Sequence, residues 1–171
     1  RFSLELIEIF PLNITPVYKK DDPSDVKNYR PISLLSILGK AFERCVLKYL
    51  VDFLDANEII TTLQSGFTSG DSTVCQLLDI SNDIGKALDS GKEVRVVFCD
   101  ISKAFDRVWH KGLLEKLHSI GIRGKLLSWF ESYLSNRQQR VVARNNLSNW
   151  KTINAGVPQG SILGPVLFLI Y

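Results

Sequence analysis

The 171-residue sequence contains no methionine, only two histidines and only three cysteines. Two isolated histidines provide no metal-ligand spacing, which excludes an obvious zinc site. Cys45, Cys75 and Cys99 lie in apolar stretches at wide spacing. This pattern predicts buried free thiols in a reducing compartment. Because the chain has no start methionine and ends within the apolar run PVLFLIY, we expect it to be a piece of a longer protein.

Long apolar runs are also absent. No run approaches the roughly 18 residues of a membrane span, and no signal peptide opens the chain, so we expect no membrane partner. Hydrophobic residues make up 45% and charged residues 23% of the sequence, the balance of a folded globular domain. The formal charge of +3 permits an acidic polymer as partner without requiring one, since clustering of the charges decides the matter.

The spacing of the apolar residues predicts a mixed α+β domain without a βαβ rhythm. Residues 6–34 predict extended chain around a polar hairpin loop. Residues 37–54 have a helical period. The residues expected on the core side of this helix are Leu38, Phe42, Cys45, Tyr49 and Phe53. Further helices are predicted at 112–120 and 124–134, two strands between 138 and 156, and a buried helix near the C-terminal end.

A helix is also predicted from Thr73, where Gln76 three positions later suggests a capping box, to Gly91, a natural helix stop. The residues expected on its core face are Val74, Leu77, Leu78, Ile84 and Leu88. Residues 93–100, EVRVVFCD, are typical of a strand in length and β-branched content. This strand would be apolar on both faces, which places Asp100 at the rim of a buried sheet.

An ionised carboxylate at such a rim is costly unless it is paired, hydrogen-bonded or bound to a metal. Asp100 is therefore either a helix N-cap or a ligand of Mg²⁺ in a phosphoryl-transfer site of the two-metal type. Because one aspartate cannot form such a site, a second carboxylate must come from elsewhere.

Four ordered blocks resemble motifs of reverse transcriptases, in particular those of non-LTR, LINE-like retrotransposons. The blocks are VYKKDDPSDVKNYRPISLLS, LQSGFTSGDSTVCQL, FCDISKAFDRVWH and NAGVPQGSILGPVLFLIY. The resemblance implies an RNA-directed DNA polymerase that uses two Mg²⁺ ions, an RNA template, a DNA primer and dNTPs. It also implies a right-hand polymerase fold, with fingers at about 1–92 and 110–150 and a partial palm at about 93–109 and 151–171.

The resemblance further implies roles for single residues around the incoming nucleotide. Asp100 would bind both catalytic metals, and Phe105 would pack under the sugar and leave no room for a 2′-hydroxyl. The backbone amides of Ile101 and Ser102 would lie near the triphosphate. Gln159 of the PQG turn would contact the sugar or base. Asp106 is common in the family without binding metal, and we interpret it as structural.

Basic and template-contacting residues are implied in the same way. Arg30, with either Lys19 or Lys20, would neutralise the β- and γ-phosphates, unless these residues form only a solvated charged turn. The residues matching template-gripping positions are Gln64, Gly66, Phe67 and Gly160. A buried anchor would explain the QSGF residues equally well. Arg140 and Arg144 could face a phosphate backbone from one side of a strand, with Arg137 nearby, or belong to a solvated hairpin.

One block of the family is missing, because no ADD sequence occurs in the chain. We expect the paired aspartates downstream of Tyr171, and we therefore expect the parent protein to polymerise DNA and this piece alone to be inactive and poorly soluble. The alternative is a non-catalytic, nucleic-acid-binding remnant of a decayed retrotransposon copy. A carboxylate-dependent phosphohydrolase would leave three blocks unexplained. The family implies a nuclear or cytoplasmic location, although no localisation signal is visible.

Overall fold

The computed structural model describes residues 11–171. In this range the strands are β1 (Leu12–Tyr18), β2 (Tyr29–Leu34), β3 (Arg137–Ala143), β4 (Asn146–Leu147) and β5 (Lys151–Ile153). The helices are α1 (Ile37–Ala56), α2 (Thr73–Asp89), α3 (His110–Ser119), α4 (Gly124–Leu134) and α5 (Gly164–Ile170). Short 3₁₀ turns lie at Val26–Asn28 and Ala104–Arg107. The mixed α+β prediction is confirmed. None of the helices described within residues 11–171 is long and apolar enough to cross a membrane.

The sheet is built on the predicted hairpin. Strands β1 and β2 pair in antiparallel fashion with Pro16 opposite Pro31. Strand β3 then pairs in parallel with β1 and in antiparallel fashion with β5 and β4. The predicted pair of strands after α4 is thus confirmed, with β4 as an additional short strand. The part of the predicted extended segment before residue 11 lies outside the described residues.

The core lies where α1, α3, α4 and α5 meet. Its fully buried side chains include Leu50, Leu113, Leu117, Phe130, Leu134, Leu163 and Leu167. The helices predicted at 112–120, at 124–134 and near the C-terminal end are confirmed within two residues at the ends of α3 and α4, and α5 buries Leu167 and Ile170.

The predicted core face of α1 is confirmed in part, because Phe42 and Phe53 are half-buried and pack against the core, whereas Leu38, Cys45 and Tyr49 are exposed. The buried residues are Gly39, Glu43, Leu50 and Leu54. In contrast, Leu38 is 79% exposed and Tyr49 is 73% exposed. Two apolar stripes run side by side along α1, and periodicity alone does not say which stripe meets another element. Packing against α4 and the segment before α5 selects the stripe that contains Glu43.

The predicted core face of α2 is also wrong. Ser72, not Thr73, caps this helix, because the Ser72 side chain accepts the N–H of Cys75. The helix ends before Gly91, whose φ of 70° confirms the predicted stop. Of its expected core residues, only Ile84 is half-buried, while the others are exposed. An amphipathic period shows which face favours burial, but burial also requires a covering element.

Residues 93–100 do not form the predicted buried strand. They have no regular secondary structure, and Val97 is 83% exposed and Phe98 91% exposed. No strand within residues 11–171 pairs with them, and an isolated strand lacks both ladder hydrogen bonds and a packed face. The predicted burial of the cysteines is also wrong. Cys75 lies on α2, Cys99 lies within residues 93–100 and Cys45 lies on the solvent side of α1, and all three are free and exposed.

Candidate functional site

The FDRV and GVPQG sequences are held together by their backbones. The N–H of Gly156 donates to the carbonyl of Val108 at 2.8 Å, and the N–H of Val157 donates to the carbonyl of Phe105 at 2.8 Å. Gly156 has a φ of 88°, and a Cβ there would lie 2.9 Å from the Cα of Asp106. Only glycine fits this close approach. The sequence analysis did not select Gly156, although a glycine two positions before the PQG turn could have indicated a close approach of two backbones.

The PQG turn, residues 158–160, joins this contact to the hairpin. Gln159 Nε2 donates to Asp106 Oδ1 at 2.9 Å. The carbonyl of Gln159 accepts the N–H of Ser33, on β2, at 2.7 Å. Gly160 has a φ of 103°, and a Cβ there would lie 3.0 Å from the carbonyl oxygen of Ser33. Packing against β2 therefore accounts for Gly160, whose predicted contact with the template stays a prediction. Asp106 has the structural contact expected of it.

A groove of about 840 Å³ opens beside the PQG turn. It lies between the β1–β2 hairpin, the turn at Ala104–Arg107 and the end of β3. Its lining includes four cationic side chains, Lys19, Lys27, Lys103 and Arg144. In the part of the chain that the structure describes, Asp106 is the one carboxylate in the lining, and Gln159 already donates to it. Such a concentration of positive charge favours a polyanionic ligand.

The groove separates the two candidate lysines and leaves out Arg30. Lys19 lines the groove, whereas Lys20 does not. Tyr29 and Pro31 also line it, whereas Arg30 between them is exposed and does not. The clamp of Arg30 and a lysine on the β- and γ-phosphates stays a prediction.

The three arginines of β3 and its turn do not form one row toward a phosphate backbone. Arg137 is buried and donates to the carbonyl of Gly156 at 3.3 Å. Arg140 donates to Asn13 Oδ1 at 2.9 Å and stacks on Trp150 at 4.4 Å from the ring centroid. Of the three, Arg144 lines the groove. Arg137 and Arg140 are thus already engaged by contacts within the protein.

Phe105 is half-buried between two other aromatic rings. It stacks on Phe168 of α5 with centroids 5.1 Å apart and meets the edge of Phe67 at 6.1 Å. The structure thereby brings together the QSGF loop and the FDRV turn. Within that loop, Gln64 Nε2 donates to the carbonyl of Gly66 at 2.8 Å, so Gln64 and Gly66 brace the loop itself. Contacts of these residues with a template stay predictions.

Asp100, Ile101 and Ser102 are all exposed and precede the turn at Ala104–Arg107. Asp100 caps none of the described helices, so the N-cap interpretation is wrong. Within residues 11–171 no cluster of three or more His, Cys, Asp or Glu side chains is positioned to hold a metal ion. Mg²⁺ sites rely chiefly on carboxylates, and no such cluster forms around Asp100 within the described residues. By themselves they do not fit a two-Mg²⁺ site.

Glu43, which the sequence analysis did not select, is the centre of a buried polar network. Its carboxylate accepts the hydroxyl of Tyr133 at 2.8 Å and the N–H of Ile162 at 2.6 Å. Burial, followed by the Glu43 charge, raises the pKa of Tyr133 well above its usual range. Burial also lowers the pKa of Arg137, against the opposing effects of Tyr133 and Glu43. The only sequence signal was a glutamate beside the apolar stripe of α1.

His110 contacts Gly156, just before the PQG turn, whereas Glu43 contacts Ile162 just after it. His110 Nε2 donates to the carbonyl of Gly156 at 2.8 Å. Burial lowers the pKa of His110; the bond to Gly156 raises it, and the nearby Arg137 charge lowers it further. His110 is therefore expected to act as a neutral hydrogen-bond donor around pH 7.

Comparison with known proteins identifies the family. Residues 17–171 match the model of the family described as reverse transcriptase (RNA-dependent DNA polymerase). The chain is 38% identical over 159 residues to the probable RNA-directed DNA polymerase from transposon BS of Drosophila melanogaster, covering 92% of this chain and 17% of that protein. It is 40% identical over 149 residues to the RNA-directed DNA polymerase from mobile element jockey of Drosophila funebris, covering 87% of this chain and 16% of that protein.

A more distant relative is the retrovirus-related Pol polyprotein from type-1 retrotransposable element R2 of Popillia japonica. It is 28% identical over 158 residues, which are 92% of this chain and 22% of that protein. The chain belongs to the reverse transcriptase family, and its predicted resemblance to the non-LTR group is confirmed. It spans between 16% and 22% of the length of these relatives.

Proposed function

We propose that this chain forms the fingers and part of the palm of an RNA-directed DNA polymerase. The fingers comprise about 1–92 and 110–150, and the palm comprises about 93–109 and 151–171. The full-length protein that contains the chain would add nucleotides from dNTPs to the 3′-hydroxyl of a DNA primer on an RNA template. Membership of the reverse transcriptase family supports this function.

The observation that carries the proposal is the bond between Gln159 and Asp106, at 2.9 Å. It joins two family blocks that are 53 positions apart in the sequence, and it lies on the wall of the cationic groove. The PQG turn and the turn at Ala104–Arg107 thus meet beside positive charge, as a site for a nucleoside triphosphate requires.

Within this site, the groove cations bind phosphates. Lys19 and Lys103 act as point charges, and Arg144 offers a planar fork for two phosphate oxygens. Phe105, wedged between Phe67 and Phe168, is held firmly enough to act as a wall against a 2′-hydroxyl. Gln159, while it donates to Asp106, keeps its side-chain carbonyl free to accept a hydrogen bond from the nucleotide. Ile101 and Ser102 precede the turn at Ala104–Arg107 in the sequence, and we propose that their backbone amides bind the triphosphate.

The metal chemistry is proposed for the full-length protein alone. Asp100 is its candidate ligand for Mg²⁺, and the further carboxylates would come from outside the described residues, since these form no cluster of three or more side chains that could hold a metal ion. We therefore propose that the 171-residue chain is inactive without the rest of the protein.

Primer extension on an RNA template tests this function. The full-length protein should extend a DNA primer with dNTPs, and the 171-residue chain should not. Asp100→Asn should reduce extension by at least roughly a hundredfold, whereas Asp89→Asn, at the exposed end of α2, serves as the matched control and should leave it unchanged. A full-length protein that binds RNA without extending the primer would contradict the proposal and favour the non-catalytic remnant.

A further inference from the structure

We propose that Glu43 is a positioning residue for the PQG turn and, through it, for the nucleotide contact of Gln159. Glu43 lies on α1 and is fully buried. Its Oε2 accepts the N–H of Ile162 at 2.6 Å and that of Leu163 at 3.4 Å, and these residues follow the turn directly. The role rests on the proposed function, because the turn serves polymerisation only if the full-length protein is a polymerase.

Burying a carboxylate costs free energy, because the charged group loses its hydration. An apolar side chain would pack at this position without losing hydration, so packing alone does not explain Glu43. The carboxylate provides hydrogen-bond acceptors that fix the position of the backbone after the turn. Its Oε1 accepts the hydroxyl of Tyr133 from α4, which holds the group in place. Its Oε2 then receives the backbone after the turn through charge-assisted hydrogen bonds, which are shorter and stronger than neutral ones.

The opposite end of the turn is held separately. The carbonyl of Gly156 accepts from His110 at 2.8 Å and from Arg137 at 3.3 Å. Between the two ends, Ser161 Oγ braces the turn by donating to the carbonyl of Pro158. Loss of the Glu43 bonds would leave residues 161–163 free to shift while Gly156 stays in place. The turn would then pivot and move Gln159 relative to Asp106 and the groove.

Single-nucleotide incorporation by the full-length protein on an RNA template tests this inference. Glu43→Gln keeps the shape of the side chain but removes the charge and one acceptor oxygen. It should raise the KM for dNTP about tenfold and change kcat and the Kd for primer–template less than about threefold. A general loss of stability would not produce this split between KM and kcat.

Tyr133→Phe is the matched control. It removes the hydroxyl that donates to the same buried carboxylate and also bonds the side chain of Ser161, but it leaves the carboxylate and its bonds to Ile162 and Leu163. It should raise the KM for dNTP clearly less than Glu43→Gln does. The inference is overturned if Glu43→Gln has the KM of the wild type, or if both variants raise it equally.

Amide hydrogen exchange of the full-length protein supplies a readout that does not depend on activity. Glu43→Gln should speed exchange at Ile162 about tenfold, and Tyr133→Phe should speed it clearly less. If Glu43→Gln does not fold, Glu43→Asp retains the charge on a shorter side chain and is compared in the same way. If the wild type makes no DNA, the proposed function fails, yet unchanged exchange at Ile162 would still refute the positioning role.

Discussion

Gln159 donates from its side chain to Asp106 at 2.9 Å while its own carbonyl accepts the N–H of Ser33 at 2.7 Å. A single residue thereby joins the turn before α3, the turn before α5 and strand β2. Because these three segments are far apart in the sequence, the groove beside them exists only when the whole chain is folded. The geometry of this residue links the stability of the domain to the shape of its candidate nucleotide site.

The close approach at Gly156 predicts a large cost for any side chain there. Gly156→Ala places a Cβ 2.9 Å from the Cα of Asp106, on a residue with a φ of 88°. Since backbone must move to accommodate it, we expect a loss of about 2–3 kcal/mol in the free energy of unfolding. Urea denaturation followed by circular dichroism measures the change.

Gly85→Ala is the control for that substitution. Gly85 lies within α2, where a Cβ would meet no other atom within 4 Å. Alanine is favoured over glycine in a helix, so this variant should be as stable as the wild type or more stable by up to about 1 kcal/mol. Equal stability of Gly156→Ala and the wild type would contradict the close packing of the two turns.

The lowered pKa of His110 predicts how stability depends on pH. Its pKa in the folded state lies below the ordinary value of 6.5, chiefly because of burial. The unfolded chain therefore binds a proton more readily, and protonation favours unfolding. The contribution of His110 is fully present above pH 6.5 and is lost as the pH falls from 6.5 through its folded-state pKa.

Urea midpoints measured between pH 5 and pH 8 on wild type and His110→Gln test this dependence. Below pH 6.5, the stability of the variant should decline less steeply than that of the wild type. His118→Gln, on the exposed side of α3, is the control and should follow the wild type. A wild-type midpoint that rises as the pH falls below 6.5 would have the opposite sign and would contradict the buried position of His110.

The groove cations predict weaker and less salt-dependent binding when they are removed. Lys19→Ala and Lys103→Ala in the full-length protein should each weaken binding of a fluorescent dNTP by about two- to fivefold. Each should also make that binding less dependent on salt, because one contact between a cation and a phosphate is lost. Fluorescence anisotropy at several salt concentrations measures both quantities. Lys20→Ala changes a neighbouring lysine outside the groove, and a loss equal to that of Lys19→Ala would argue against the groove as the contact surface.

The exposed apolar face of α2 predicts self-association of the 171-residue chain. Val74, Leu77, Leu78 and Leu88 are each more than half exposed, and such patches drive aggregation when they are not covered. The double substitution Leu77→Gln and Leu78→Gln should raise the soluble concentration several-fold while preserving the helix. Light scattering after size-exclusion chromatography measures the effect. A wild-type chain that remains monomeric at high concentration would contradict this prediction.

Most helices and strands, and the family, could be predicted from the amino-acid sequence alone. Residues 37–54 and 124–134 have helical periods, and α1 and α4 follow them closely. The prolines and charged loop of the hairpin likewise predicted β1 and β2. Such signals depend on neighbours within about four positions, which sequence shows directly. The four ordered blocks identified the reverse transcriptase family because each preserves residue types at fixed spacing.

Which faces are buried, and which residues meet, depends on how the elements pack together. Packing buries Glu43 on α1, leaves α2 and residues 93–100 exposed, and brings Lys19 but not Lys20 to the groove. Glu43 and Ile162 are 119 positions apart, and no periodic pattern spans such a distance. Burial and hydrogen bonding depend on partners brought together by the whole fold, which is why Glu43, which the sequence analysis did not select, lies at the centre of the polar network.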